Sequence, residues 1–138
     1  MRYLRGFTVV ELLVAMAVVG ILAAIAFPSY QAHVRKGARS AAQSAMLQIA
    51  DREAQYLLDA RNYAVGPTAL ADLSVTLAND VASKYAVTIT TTANGTTPST
   101  PPSYLITATP IAGGPQVPDG TLTLDHTGAK FRAGNPGW

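Results

Sequence analysis

Cysteine is absent from this chain, and no charge of one sign is in excess along most of it. Ten Lys and Arg residues stand against eight Asp and Glu residues, and two of the basic residues, Arg2 and Arg5, lie in the first six positions. From Phe7 onward the two signs balance at eight each. The composition therefore gives little general reason to expect affinity for an anionic membrane surface or for nucleic acid, which is not predicted as a partner.

Residues suited to catalysis are also few. The two histidines, His33 and His126, lie far apart in sequence, and neither has a thiol or a metal-ligand pattern around it. Asp51 and Glu53 stand two apart on a predicted helix, where they point to different faces and make a poor acid–base pair. No glycine pattern for phosphate binding is present. We therefore predict that the protein is not an enzyme and has no catalytic residues, cofactor or metal site.

The most informative feature that is present is an apolar run near the start of the chain. It covers the 21 residues from Phe7 to Phe27, and its only charged side chain is Glu11. As a helix rising about 1.5 Å per residue, it reaches roughly 31 Å, the thickness of the hydrocarbon core of a bilayer. The run predicts one membrane span. The alternatives are a cleaved secretory signal peptide, which is usually shorter, and a plain anchor, which leaves the buried carboxylate unexplained.

The residues around Glu11 carry a family resemblance. The segment Arg5–Leu12, RGFTVVEL, resembles the class III signal peptide of type IV prepilins and of the related pseudopilins. In that family a dedicated peptidase cuts after the glycine, here Gly6, and methylates the new N-terminal phenylalanine, here Phe7. The glutamate and the apolar helix remain in the mature subunit. The resemblance thus implies a six-residue leader followed by a membrane segment that is kept.

The resemblance also implies a role in assembly for Phe7 and Glu11. Cleavage leaves an ammonium group on Phe7, and Glu11 of a neighbouring subunit would neutralise it as both leave water. The implied partners are other pilin subunits in a helical filament, the prepilin peptidase and methylase, the inner-membrane assembly platform, and the lipid bilayer before assembly. Basic residues flank both ends of the apolar run, so the positive-inside rule does not settle the orientation. The family places the leader in the cytoplasm.

The helix is predicted to continue past the apolar run to about Ala60. Pro28 is expected to kink the helix without ending it, and the following residues are good helix formers. Glu53 is assigned to the wet face of this second half. The apolar face is predicted from Ala38, Ala42, Ala45, Ile49 and Tyr56, widened by Leu57 and Leu58.

Two residues of the apolar half are predicted to give the helix flexibility. In assembled pili of the family, the stretch that matches Gly20 to Pro28 can lose its helical structure. Glycine at one end and proline at the other make such a change mechanically plausible.

Beyond residue 60 the composition changes to Thr, Val, Gly and Pro. Arg61–Val81 is predicted as a connecting region with a possible helical turn at Ala69–Leu73. Alternating patterns predict strands at residues 85–91, 104–109, 121–124 and 129–132. Short loops between them favour an antiparallel meander covered by the amphipathic helix. The predicted fold class is α+β, a type IV pilin fold with a long N-terminal helix packed on a small sheet of about three to four strands.

The C-terminal third contains the segments YLITATP at residues 104–110 and GTLTLD at residues 120–125, followed by Gly128 and a final Trp138. These segments resemble the tail of PilE-type minor pilins. Those relatives usually close the last loop with a disulfide, but here the two cysteine positions hold Asp119 and Gly137. A disulfide of this kind commonly contributes about 2–4 kcal/mol, so other contacts must hold the last segment or it is frayed. Phe131 and Trp138 are the predicted docking residues.

Four regions are predicted: residues 1–6 as leader, 7–28 as transmembrane and assembly half of the helix, 29–60 as its amphipathic half, and 61–138 as globular head. The predicted function is that of a structural subunit of a type IV pilus, a minor pilin that serves adhesion, twitching motility or DNA uptake by the filament. It would reside in the bacterial inner membrane with a cytoplasmic N-terminus and a periplasmic head, and then in the extracellular pilus.

The alternatives are a type II secretion pseudopilin and a pilin-type DNA receptor. For the DNA receptor, a candidate basic and aromatic patch consists of Lys130, Phe131, Arg132, Arg61, Lys84 and Tyr85.

Overall fold

In the computed structural model, which describes residues 7–138, the longest element is a helix, α1, that spans Val9–Ala60. It ends at the predicted residue. Two one-turn helices follow, α2 at Ala69–Asp72 and α3 at Asn79–Ala82. The strands are β1 (Tyr85–Thr90), β2 (Leu105–Pro110), β3 (Leu122–Asp125), β4 (Lys130–Arg132) and β5 (Asn135–Pro136). A 3-10 helix at Val117–Asp119 precedes β3.

The chain forms two compact units. The first ends at Val34, and the second, which we call the head, runs from Arg35 to Trp138. From Phe7 to Val34 every residue is exposed, so this unit has no core of its own. The boundaries predicted at residues 28 and 60 stay predictions.

The sheet is an antiparallel meander in the order β1-β2-β3-β4-β5. The α+β fold class and the four predicted strands are confirmed. Strand β5 was missed because it has only two residues, one of them Pro136, and so shows no alternation. Helix α3 was missed because Asn79 and Asp80 are also typical turn residues.

The core of the head lies between the sheet and the second half of α1. Inward side chains of successive strands, including Ile89, Ile106 and Leu122, are almost fully buried. From the helix, Ala42, Met46 and Ile49 meet them at spacings of four and three residues, which keep one face toward the sheet.

The predicted apolar face of α1 is right in part. Ala38, Ala42 and Ile49 are buried, and Ala45 and Tyr56 are half-buried. Leu58 is 82% exposed, so its assignment to this face was wrong. Met46, which is fully buried, was missed because its neighbours Ala45 and Leu47 offered equally good apolar choices.

Glu53 was assigned to the wet face of α1, and this too was wrong, because its side chain is fully buried. One carboxylate oxygen accepts a hydrogen bond from the backbone N–H of Ala64 at 2.9 Å, while the other has no hydrogen-bond partner in the described part of the chain. Burial raises the pKa of Glu53 to about 7, and the bond from Ala64 opposes this rise. The residue ties the end of α1 to the start of the connecting region.

Candidate assembly site and head surface

The start of α1 is built by Thr8 and Glu11. The hydroxyl oxygen of Thr8 accepts the backbone N–H of Glu11 at 3.2 Å, and the carbonyl of Thr8 accepts the N–H of Leu12 at 3.2 Å. Thr8 is therefore the N-cap, and the T-x-x-E spacing is that of a capping box, a local signal that the sequence analysis missed. Glu11 lies in the first turn, where the positive end of the helix dipole favours a carboxylate.

Phe7 lies just before this cap and is 83% exposed. Gly6, the residue before the predicted cleavage site, lies outside the described residues. Phe7 and Glu11 are thus close in sequence at one helix end, as an intersubunit charge pair would require. Their roles in cleavage, methylation and assembly stay predictions.

The apolar segment of α1 presents large hydrophobic side chains on all sides. Val14, Ile21, Ile25 and Phe27 are each between 59% and 69% exposed. The segment is long and apolar enough to cross a bilayer, and none of it is buried inside the protein. A helix that is hydrophobic all round must be covered by lipid or by other subunits.

Gly20 and Pro28 both lie within the helical run of α1. A Cβ at Gly20 would meet no atom within 4 Å. The glycine is therefore not required by packing in the isolated subunit. The predicted loss of helicity in an assembled filament stays a prediction.

Asp119 lies at the centre of a charged cluster that the sequence analysis did not foresee. One oxygen of its carboxylate contacts a guanidinium nitrogen of Arg39 on α1 at 2.5 Å and one of Arg132 on β4 at 3.6 Å. Tyr85 lies close enough that the charge of Asp119 adds to burial in raising the pKa of that phenol to about 12. Burial is the larger cause. The cluster fastens the segment before β3 to α1.

Gln116 makes a second tie from the same segment to α1. Its side chain is almost fully buried, and its amide nitrogen donates to the backbone carbonyl of Arg35 at 3.3 Å. Gly120, with φ +78°, follows the segment and passes so close to Ala133 that a Cβ would lie 2.6 Å from the alanine Cβ. The turn before β3 is therefore closely packed without a disulfide.

The last residues of the chain are held by hydrogen bonds. The N–H of Gly137 donates to the carbonyl of Lys130 at 2.7 Å, and the indole N–H of Trp138 donates to the carbonyl of Thr123 at 3.2 Å. The ammonium of Lys130 lies 4.9 Å from the centre of the Trp138 ring, a cation–π distance. Phe131 is 38% exposed on β4. These contacts support the predicted docking role of Trp138 more than that of Phe131.

The candidate nucleic-acid patch is brought together only in part. Lys130, Phe131 and Arg132 are exposed on β4. Tyr85 is 1% exposed and belongs to the core, so it offers no stacking surface, and including it was wrong. His126 is exposed in the turn after β3, with its ring 6.3 Å from that of Tyr104. Among residues 7–138 no group of three or more His, Asp or Glu side chains is arranged to hold a metal ion.

Comparison with known families matches residues 28–123 to the family described as type IV minor pilin ComP, DNA uptake sequence receptor. This match covers more than half of the chain. The chain is a type IV pilin of this family. Residues 1–27 match the prokaryotic N-terminal methylation motif, which includes Phe7 and Glu11.

Individual relatives of this pilin are also fimbrial proteins. It is 33% identical over 91 residues to the type IV major pilin protein PilE1 of Neisseria gonorrhoeae, covering 66% of the chain and 41% of the relative. It is 32% identical over 81 residues to a fimbrial protein of Neisseria meningitidis, covering 59% and 46%. Fimbrial protein EcpB of Eikenella corrodens is 56% identical over 32 residues, covering 23% and 20%. The matches span less than half the length of these relatives.

The chain thus shares its family with proteins described as type IV pilins and fimbrial proteins. Its start carries the N-terminal methylation motif and an apolar helix long enough to cross a bilayer. The family description names a DNA receptor.

Proposed function

We propose that this pilin is a minor subunit of a type IV pilus, cleaved between Gly6 and Phe7, held in the inner membrane with its N-terminus in the cytoplasm, and extracted into the filament through its apolar helix. The observation that carries the proposal is the match of residues 28–123 to a minor-pilin family, over most of the head. The exposed apolar helix supports assembly, because other subunits can cover the surface that lipid covers before extraction.

The abundance of this chain in sheared pili tests the minor role. Mass spectrometry of purified filaments is expected to find the mature chain, beginning at Phe7, at a small fraction of the amount of the major pilin. Comparable amounts would make it a major pilin. Its absence from pili, with protein secretion rather than piliation lost on deletion of its gene, would indicate a type II secretion pseudopilin.

A second candidate function is DNA binding by the head, favoured by the family description. On β4, Lys130 and Arg132 are exposed on one face and supply cations for phosphates, while Phe131 projects from the opposite face. Asp119 neutralises part of the charge of Arg132, so Lys130 is the better candidate for a phosphate contact.

The full-length pilin in detergent micelles is therefore expected to retard duplex DNA in a gel at low salt. Lys130→Gln is expected to weaken binding about 3- to 10-fold and to reduce the slope of log affinity against log salt by about one. Lys36→Gln, which removes an exposed cation from α1, is the matched control and is expected to change little. No retardation at low salt, or equal losses in both variants, would count against a DNA site on β4.

A further inference from the structure

The outer edge of β1 carries backbone groups without partners. The carbonyl of Lys84 accepts the N–H of Ile111 on the β2 side, whereas the carbonyl of Ile89 accepts the N–H of Gly66 on the opposite side, at 2.9 and 2.8 Å. Since the N–H and C=O of each residue point to the same side of an antiparallel strand and alternate along it, Val87 is in phase with Ile89. The N–H and C=O of Val87 therefore point away from β2, and in residues 7–138 no group is found to bond them.

An apolar groove lies along this edge. Its volume is about 400 Å³, and no charged side chain lines it. One wall is the edge of β1 itself, and the other is formed by Gly66, Pro67 and Leu70 before and within α2. A side chain projecting from a peptide beside Val87 would meet Leu70 and Pro67, so backbone groups and an apolar pocket are presented together.

The groove is held in shape by the loop that carries Gly66. This glycine has φ +96°, and a Cβ there would lie 2.7 Å from the carbonyl oxygen of Thr96. Its N–H is bonded to Ile89, which closes one end of the free edge. A peptide therefore finds a preformed site, and the closed end limits it to a short pairing beside Val87.

Natural sheets usually protect such an edge with charge, proline, a bulge or a covering segment. Strand β1, YAVTIT, has no charge and no proline, and its register with β2 is continuous over its whole length. The opposite edge, β5, has two residues and includes Pro136, so it is a poor template for pairing. The two edges differ in the way expected if one of them receives a strand.

We propose that the edge of β1 binds a short, extended, uncharged peptide segment of a partner protein by strand addition. The segment pairs its backbone with Val87 and places one aliphatic side chain against Leu70 and Pro67. An uncharged segment is specified because a charge would lose water in this groove without meeting an opposite charge. A second copy of the head is a poorer occupant, because its β5 edge has only two residues. Two β1 edges paired antiparallel about Val87 would also set the Gly66 loop of each copy, which is bonded to Ile89, against Tyr85 of the other. The site is separate from the helix that assembles the pilus.

Nuclear magnetic resonance of the isotope-labelled full-length pilin in micelles tests this proposal. The probe is the capped peptide Thr-Val-Thr-Val-Thr, in which uncharged polar side chains alternate with aliphatic ones. Saturable shifts are expected at Val87, Ile89 and Leu70, with the amide exchange of Val87 slowed about tenfold or more. No saturable shift would overturn the proposal.

Three variants locate the peptide. Val87→Pro removes the outward N–H and leaves the bonds between β1 and β2, because proline is tolerated on the free side of an edge strand. Leu70→Lys places a charge in the groove, and Ala71→Lys on the exposed side of α2 is its control. Peptide binding is expected to be at least tenfold weaker for Val87→Pro and Leu70→Lys. Ala71→Lys is expected to bind the peptide as tightly as the unchanged pilin.

Equal binding by Leu70→Lys and Ala71→Lys would refute the groove, even if Val87→Pro failed to fold. The amide exchange of Val87 could instead become slower as the pilin concentration is raised in the absence of peptide. That result would show pairing between copies of the pilin and would also refute the proposed occupant.

Discussion

Replacing Asp119 with alanine is expected to lower the free energy of unfolding of the head by about 2–3 kcal/mol. The change leaves Arg39, whose side chain is only 19% exposed, without its carboxylate, and it releases the segment before β3 from α1. Arg132 contributes less, because its side chain is 44% exposed and its charge is screened by water. The loss is of the size that a missing disulfide would cause in a relative that has one.

Urea unfolding of the full-length pilin in micelles, followed by the fluorescence of Trp138, measures this effect. The control is Asp80→Ala, which removes an exposed carboxylate from α3 and is expected to change stability by less than about 0.5 kcal/mol. The double variant Asp119→Ala with Arg39→Met is expected to recover part of the loss, since it removes the stranded cation as well. Equal stability of Asp119→Ala and Asp80→Ala would show that the cluster does not fasten the head.

Replacing Glu11 with glutamine is expected to abolish incorporation of the pilin into filaments while leaving membrane insertion and leader cleavage intact. Glutamine keeps the length and the capping ability of glutamate but removes the negative charge. The ammonium group on Phe7 of a neighbouring subunit would then enter the apolar core without a counter-ion, at a cost of several kcal/mol. Immunoblots of sheared pili and of membranes measure incorporation and cleavage separately.

The N-cap offers a control that separates charge pairing from helix capping. Thr8→Ala removes the hydroxyl that accepts the N–H of Glu11 and leaves the carboxylate in place. If the charge of Glu11 is what assembly needs, the Thr8 variant enters pili and the Glu11 variant does not. Normal incorporation of Glu11→Gln, together with failure of Thr8→Ala, would instead assign both residues to helix capping.

Because the chain has no cysteine, the C-terminal segment can be held only by non-covalent contacts within the head. Asp119 and Gly137 stand at cysteine positions of the pilins that the sequence resembles, and Phe131 and Trp138 are the predicted docking residues. In the structure the tie is made mainly by charge and by backbone bonds, through Asp119 to Arg39 and through Gly137 to Lys130. The partner Arg39 lies 80 residues away in sequence, and no local pattern pairs the two.

Family membership could be predicted because its signals are local. The leader motif, the span from Phe7 to Phe27 and the alternation of β1 to β3 each depend on residues close in sequence, whose periodicity follows from backbone geometry. On α1 the wrong assignments were Glu53 and Leu58, one charged and buried, the other apolar and exposed. Helix periodicity gives the direction of each side chain, but it does not say where the sheet and the connecting region end.

The amino-acid sequence by itself determined that residues 7–27 can span a membrane as a helix with one carboxylate near its start, since length, hydropathy and a short motif suffice for that. Tertiary structure decided which polar groups the head encloses and which backbone groups it leaves open. The burial of Glu53, the partners of Asp119 and the free edge at Val87 all depend on segments distant in the chain. Only packing of those segments removes water from some polar groups and leaves it at others.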